Sequence, residues 1–175
     1  MRKGTAILPE QAAVWSYPID SWVDGFSATS EWVNANVTDE QIIMKMINSF
    51  LGRMHLASHL ELLNEEKFAL VREGVDYYNR IREAKKTALP YMPIGFTNFG
   101  KTLVVSGLLT DKKLYLAVWN LGGEKNVSIP LGEITPKSAS VAFPANNKVN
   151  CGLDGNTLNI QFTEDYQARM LEIDV

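Results

Sequence analysis

Apolar positions follow two regimes along the chain. Between residues 38 and 86 they recur largely at helical spacing, and after residue 100 they form short runs between turn residues. Ile42, Ile43, Met46, Ile47 and Phe50 fall on one face of a helix. Thr38-Asp39-Glu40-Gln41 stands ahead of them as a capping box. The threonine hydroxyl takes an orphan amide and Gln41 reaches back. Gly52 marks the expected stop, because glycine enters the left-handed conformation cheaply. A second helix is predicted from Asn64 as cap, with Glu65 and Glu66 in its first turn and Phe68, Leu70, Val71, Val75, Tyr78 and Ile81 as its apolar face. Arg80, Arg82, Lys85 and Lys86 carry the sign that suits its far end.

Between the two helices, Gly52-Arg53-Met54-His55-Leu56-Ala57-Ser58-His59 has room only for a short strand. Helix, short strand and long helix is the spacing of a parallel sheet covered by helices. It suits a β/α barrel, where residues just past a strand's end face the active site. Ser58 and His59 are therefore candidates for a substrate-facing rim.

Residues 87–100 form a boundary. Pro90, Pro93, Gly95 and Gly100 break periodicity, while Leu89, Tyr91, Met92, Ile94, Phe96 and Phe99 keep it apolar, so the two parts should share an interface. Beyond it, runs at 102–109 and 114–121 flank the turn Thr110-Asp111-Lys112-Lys113. Shorter runs follow at 127–129, 139–143, 149–153 and 157–162, and 170–175 closes the chain. Asp154-Gly155-Asn156 is a strong turn signal. Short strands separated by turns imply an antiparallel β-sandwich.

Residues 1–37 read as irregular and rich in aromatics, with Ile7 and Leu8 ending a short strand. Trp15, Tyr17, Trp22, Phe26 and Trp32 are dense for a stretch without period. Long loops of that kind in compact domains are often functional. Pyranose rings stack their apolar C–H faces on such side chains. The competing reading is that these aromatics pack the loop onto the body.

Composition narrows the classes. Net charge is −3 with both signs mixed along the chain, which argues against a nucleic-acid partner. No apolar run approaches the ~20 residues of a membrane span. Met1-Arg2-Lys3-Gly4 lacks the apolar core of a secretory signal, and a cytoplasmic location is the expectation. The one cysteine, Cys151, excludes an internal disulfide. His55 and His59 stand at i and i+4, but on or past a strand and with no third ligand cluster, so no metal and no cofactor is expected.

Four segments resemble glycoside hydrolase family 36, the α-galactosidases. Pro9-Glu10-Gln11-Ala12-Ala13-Val14-Trp15-Ser16-Tyr17-Pro18 is similar to the family's P-E-x-A-x-x-W-x-x-P. Residues 51–60, from Leu51-Gly52-Arg53 to His59-Leu60, resemble L-G-R-[LI]-[HY]-L-S-G-x-L. Residues 68–82 resemble the following helix, and Leu89-Pro90-Tyr91-Met92-Pro93-Ile94-Gly95 the link into the C-terminal domain. Leu116-Ala117-Val118-Trp119 resembles an early strand of that domain.

The resemblance implies a place as well as a family: residues 1–87 as the C-terminal part of a (β/α)8 catalytic barrel, and 88–175 as the C-terminal β-sandwich. It implies a parent that hydrolyses terminal α-galactosides with retention, through two aspartates ~5 Å apart. Both lie in family motifs upstream of the matched region. Neither a K-W-D nor an S-D-x-x-D segment occurs here, so no catalytic residue is assigned, and Asp20, Asp24 and Asp39 take no such role. Glu10, Trp15, Tyr17, Ser58 and His59 are the expected substrate-binding residues. Glu10 also has the plainer options of pairing with Arg53 or capping a local turn. Ser58 or His59 stands where the family usually has glycine, which crowds the rim. An α-galactoside is the expected ligand of the parent, with homo-oligomer contacts through the sandwich. The alternative is a stand-alone carbohydrate-binding or protein-interaction module. A metal-dependent hydrolase built on His55 and His59 would need a third ligand.

Overall fold

A computed structural model describes residues 21–24, 35–57, 60–97 and 100–175. Strand β1 (Ser21–Asp24) is followed by helix α1 (Asp39–Phe50), strand β2 (Met54–Ala57) and helix α2 (Glu65–Ile81). The remaining strands are β3 (Leu89–Tyr91), β4 (Leu103–Leu109), β5 (Lys113–Asn120), β6 (Asn126–Pro130), β7 (Ser138–Phe143), β8 (Asn150–Asp154), β9 (Thr157–Gln161) and β10 (Gln167–Asp174). β1 and β2 are parallel, in the register Ser21 with Met54 through Asp24 with Ala57. The rest is antiparallel: a five-stranded sheet in the order β3-β4-β5-β10-β7 and a three-stranded sheet β6-β9-β8.

The α1 capping box forms as the sequence predicts. Gln41 N–H donates to Thr38 Oγ1 at 3.2 Å, and Thr38 N–H donates to Gln41 Oε1 at 2.9 Å. All five predicted face residues of α1 are buried. At α2, Lys67 N–H donates to Asn64 Oδ1 at 2.9 Å, the cap the sequence predicts. Its buried face, however, is Lys67, Val71, Gly74, Tyr77 and Ile81; Phe68, Leu70, Val75 and Tyr78 are only half-buried. The stripe is rotated because Gly74 lets α1 approach: a Cβ there would stand 3.3 Å from Met46 Cβ.

Three further expectations are corrected. α1 does not end on a left-handed glycine. Leu51 is its cap in the right-handed region, and Gly52 is not among the positive-φ residues. The Lys85 ammonium instead donates to the carbonyls of Phe50 (2.5 Å) and Gly52. The stretch read as irregular contains β1, whose partner lies thirty-odd residues away and leaves no local signal. The boundary contains β3, where Pro90 is tolerated because β3 is an edge strand.

Two cores lie on the two faces of the five-stranded sheet. On one face, Met46, Ile47, Phe50, Val71, Tyr77 and Ile81 from the helices pack with Val104, Trp119, Phe143 and Met170. The buried Trp119 indole donates to Asn48 Oδ1 at 2.9 Å, tying the sheet to α1. On the other face, Val105, Leu114, Leu116, Val118, Leu171 and Ile173 meet Ile129, Leu158 and Ile160 of the three-stranded sheet. The order is helices, sheet, sheet. A sheet covered on both faces explains why β5 is an unbroken buried run from Leu114 to Asn120. Among the described residues no helix is long and apolar enough to cross a membrane.

Candidate functional site

β1 and β2 run side by side and finish together, at Asp24 and Ala57. A helix linking parallel strands runs back against them, so the N-terminus of α1 lies at the end where the strands finish. In parallel sheets ligands bind outside the carboxyl ends of the strands, so this end is the candidate site. Ser58 and His59 follow Ala57 directly in the chain, but they lie outside the described residues, as do Glu10, Trp15 and Tyr17. The structure therefore places none of the five and brings none of them together. His55, half-buried, stands opposite Trp22 in the register. Among the described residues no three His, Cys, Asp or Glu side chains converge as a metal site.

At the same end, a polar cleft of about 680 Å³ opens beside the start of α1. Asp39, Lys148, Glu164, Asp165, Tyr166 and Arg169 line it. Glu40 is held by a buried guanidinium: Arg169 Nη1 donates to Glu40 Oε2 at 2.7 Å and Nη2 to Oε1 at 2.6 Å. Gln167 Nε2 donates to the same carboxylate at 3.0 Å. A two-point ion pair fixes the geometry of the Glu40 carboxylate. Tyr166, 63% exposed, takes a φ of +57°. Its ring end packs over Gly122, where a Cβ would stand 3.2 Å from Tyr166 Cζ. The sequence reading singled out neither Arg169 nor Tyr166. The signal for Arg169 was a cation inside the otherwise apolar run Ala168–Leu171; Tyr166 left none.

Three described groups with altered acidity owe it first to burial. Burial, then the Glu172 carboxylate, pushes the Tyr77 phenol well above its ordinary range. Burial pushes the Cys151 thiol up, against the thiolate a nucleophile needs. Burial brings Lys85 down to about 8. Its ammonium sits over the Tyr78 ring at 4.1 Å and against the last carbonyls of α1. That is the opposite end of the unit from the strand ends, where a fixed group serves stability.

Lys85 has a measurable consequence. With a folded value near 8 and an ordinary value near 10.5, the unfolded chain binds the extra proton between them, so stability rises with pH across that window. The gain expected from pH 8 to 9.5 is on the order of 1 kcal/mol after allowing for solvent screening. Urea unfolding at several pH values should show it in the natural chain and lose it in Lys85→Met. Equal slopes in both would assign the dependence elsewhere.

No protein-family sequence model and no curated protein sequence matches the chain. Solved structures do. The galactosidase domain of an α-galactosidase–sucrose kinase matches with a TM-score of 0.65 and 13% identity, over 97% of this chain and 25% of that one. The GH36 α-galactosidase AgaA of Geobacillus stearothermophilus, solved with raffinose, matches with a TM-score of 0.66 and 11% identity, again over 97% and 25%. The same enzyme with 1-deoxygalactonojirimycin matches with a TM-score of 0.55 and 11% identity, over 75% and 19%. The chain thus spans about a quarter of the length of the first two. At these identities the likeness is one of fold: the chain is built like the matched quarter of a GH36 α-galactosidase, the family its sequence segments resemble.

Proposed function

We propose that the chain is the C-terminal part of a retaining α-galactosidase-like glycoside hydrolase acting on terminal α-galactosides. Residues 1–87 are the last units of its (β/α)8 barrel and 88–175 its C-terminal β-sandwich. One observation carries this reading: the fold match runs over 97% of the chain, to the family whose motifs four segments here resemble in order. The parallel β1–α1–β2 unit followed by α2 supports the barrel assignment, since parallel strands joined through a helix are its repeating unit.

In this reading the catalytic carboxylates come from the parent, upstream of this region. Residues 1–175 supply the wall: Glu10 accepts from sugar hydroxyls, Trp15 stacks on the ring, and Tyr17, Ser58 and His59 shape the mouth. The sandwich buries the barrel's flank and carries oligomer contacts. In a polypeptide that includes the upstream barrel, Trp15→Ala should lower kcat/KM for a chromogenic α-galactoside at least ~10-fold, about 1.4 kcal/mol. Unchanged kinetics would make Trp15 a packing residue.

A further inference from the structure

Sheet faces turned to solvent usually carry charge, and strands usually carry β-branched or aromatic residues. The outer face of the three-stranded sheet has neither over two of its three rows; the third, Pro130, Thr157 and Asp154 at the turn end, carries one of each. Val127, Ile129, Leu158, Ile160, Cys151 and Leu153 point inward and close the second core. Beside that third row, the positions between them form two more across the sheet: Asn126, Gln161 and Asn150, then Ser128, Asn159 and Gly152. None of the six is charged, and five are exposed, with Asn159 half-buried. Asparagine and glycine are depleted in strands, yet these positions lie within the paired stretch and not at a turn. Departures from local preference that packing does not require are where function is expected. Packing does not require Gly152: a Cβ there would meet nothing within 4 Å, and its φ is not positive. Its missing side chain keeps the floor low in a shallow groove of about 320 Å³ over these rows.

We propose that this face binds a neutral saccharide, at a place separate from the strand ends. An amide offers a donor and an acceptor side by side, which fits neighbouring sugar hydroxyls. Ser128 Oγ donates to Asn159 Oδ1 at 2.6 Å, which turns the Asn159 N–H groups to the ligand. An anionic ligand would find no counter-charge here, a cationic one only Asp154 at the turn end, and an apolar partner would leave the amides buried and unpaired. Strands are ~4.8 Å apart, about the width of a sugar ring, so three strands span one to two sugar units. The ligand class rests on the saccharide reading above; the face itself needs none of its catalysis.

The test is a titration of the ¹⁵N-labelled 175-residue chain with raffinose, following the side-chain amide signals of Asn126, Asn150, Asn159 and Gln161 by NMR. Saturable shifts at these four groups are expected, with the affinity falling about fivefold or more in Gly152→Lys and in the double variant Asn126→Ala/Gln161→Ala. Amides that do not move, or equal affinity in both variants, would overturn the proposal. So would self-association in sedimentation that Gly152→Lys abolishes, since the face would then cover a second copy. The titration reads no turnover. Amide shifts without hydrolysis by a polypeptide carrying the upstream barrel would sink the hydrolase reading alone, and the converse would sink this inference alone.

Discussion

Glu40→Ala is expected to destabilise the chain by about 3–5 kcal/mol, measured by urea unfolding. Arg169 is 1% exposed; both of its terminal nitrogens donate to Glu40, and Nη1 also donates to the Ala168 carbonyl at 2.6 Å. Removing the carboxylate leaves a buried cation with only the Ala168 carbonyl in place of its counter-charge. Glu40 is itself 24% exposed, so water can enter from its side, which favours the lower half of that range. The loss reaches beyond the pair, because the clamp joins the first turn of α1 to the start of β10. The double variant Glu40→Leu/Arg169→Met removes both charges and should recover most of the loss, as apolar replacements of buried ion pairs commonly do. A single-variant loss under about 1 kcal/mol would mean that water reaches the guanidinium once the carboxylate is gone.

Phe50→Ala is the second large effect, about 3–5 kcal/mol. Phe50 is fully buried at the end of α1. Its ring centroid lies 4.9 Å from that of Tyr77 on α2 and 5.0 Å from that of Phe143 on β7, edge-on to the latter. One side chain thus locks both helices to the five-stranded sheet. Helical and sheet signals should therefore fall together in one transition shifted to lower denaturant. If the helices were to unfold separately while the sheet's midpoint stayed put, the helices and the sheet would not share a cooperative core.

Much of this was legible in the sequence because the causes are local. The α1 capping box, the Asn64 cap and the i, i+4 face of α1 need only a few neighbouring residues. The same holds for Asp154-Gly155-Asn156, where Gly155 takes a φ of +55° between β8 and β9. Strands β4 to β9 lie within a residue or two of the predicted runs.

What was not legible depends on distant partners. β1 exists through β2, and β3 through β4. Tyr77 rather than Tyr78 is buried because Gly74 sets how closely α1 packs on α2. β10 starts at Gln167, three residues before the predicted run, because Glu40 makes it possible to bury Gln167 and Arg169. Lys85, whose place in the sequence suits a helix-end cation for α2, caps the end of α1. Of the candidate site, the sequence reading located the strand end after Ala57. The aromatic loop and the residues past that end lie outside the described residues.

The most direct test of the central claim is hydrolysis of a chromogenic α-galactoside by the purified 175-residue chain, beside a polypeptide that adds the upstream barrel. The account predicts no turnover by the chain and clear turnover by the longer polypeptide. Turnover by the 175 residues alone would place the carboxylate pair among them and contradict the assignment of this region to the enzyme's wall.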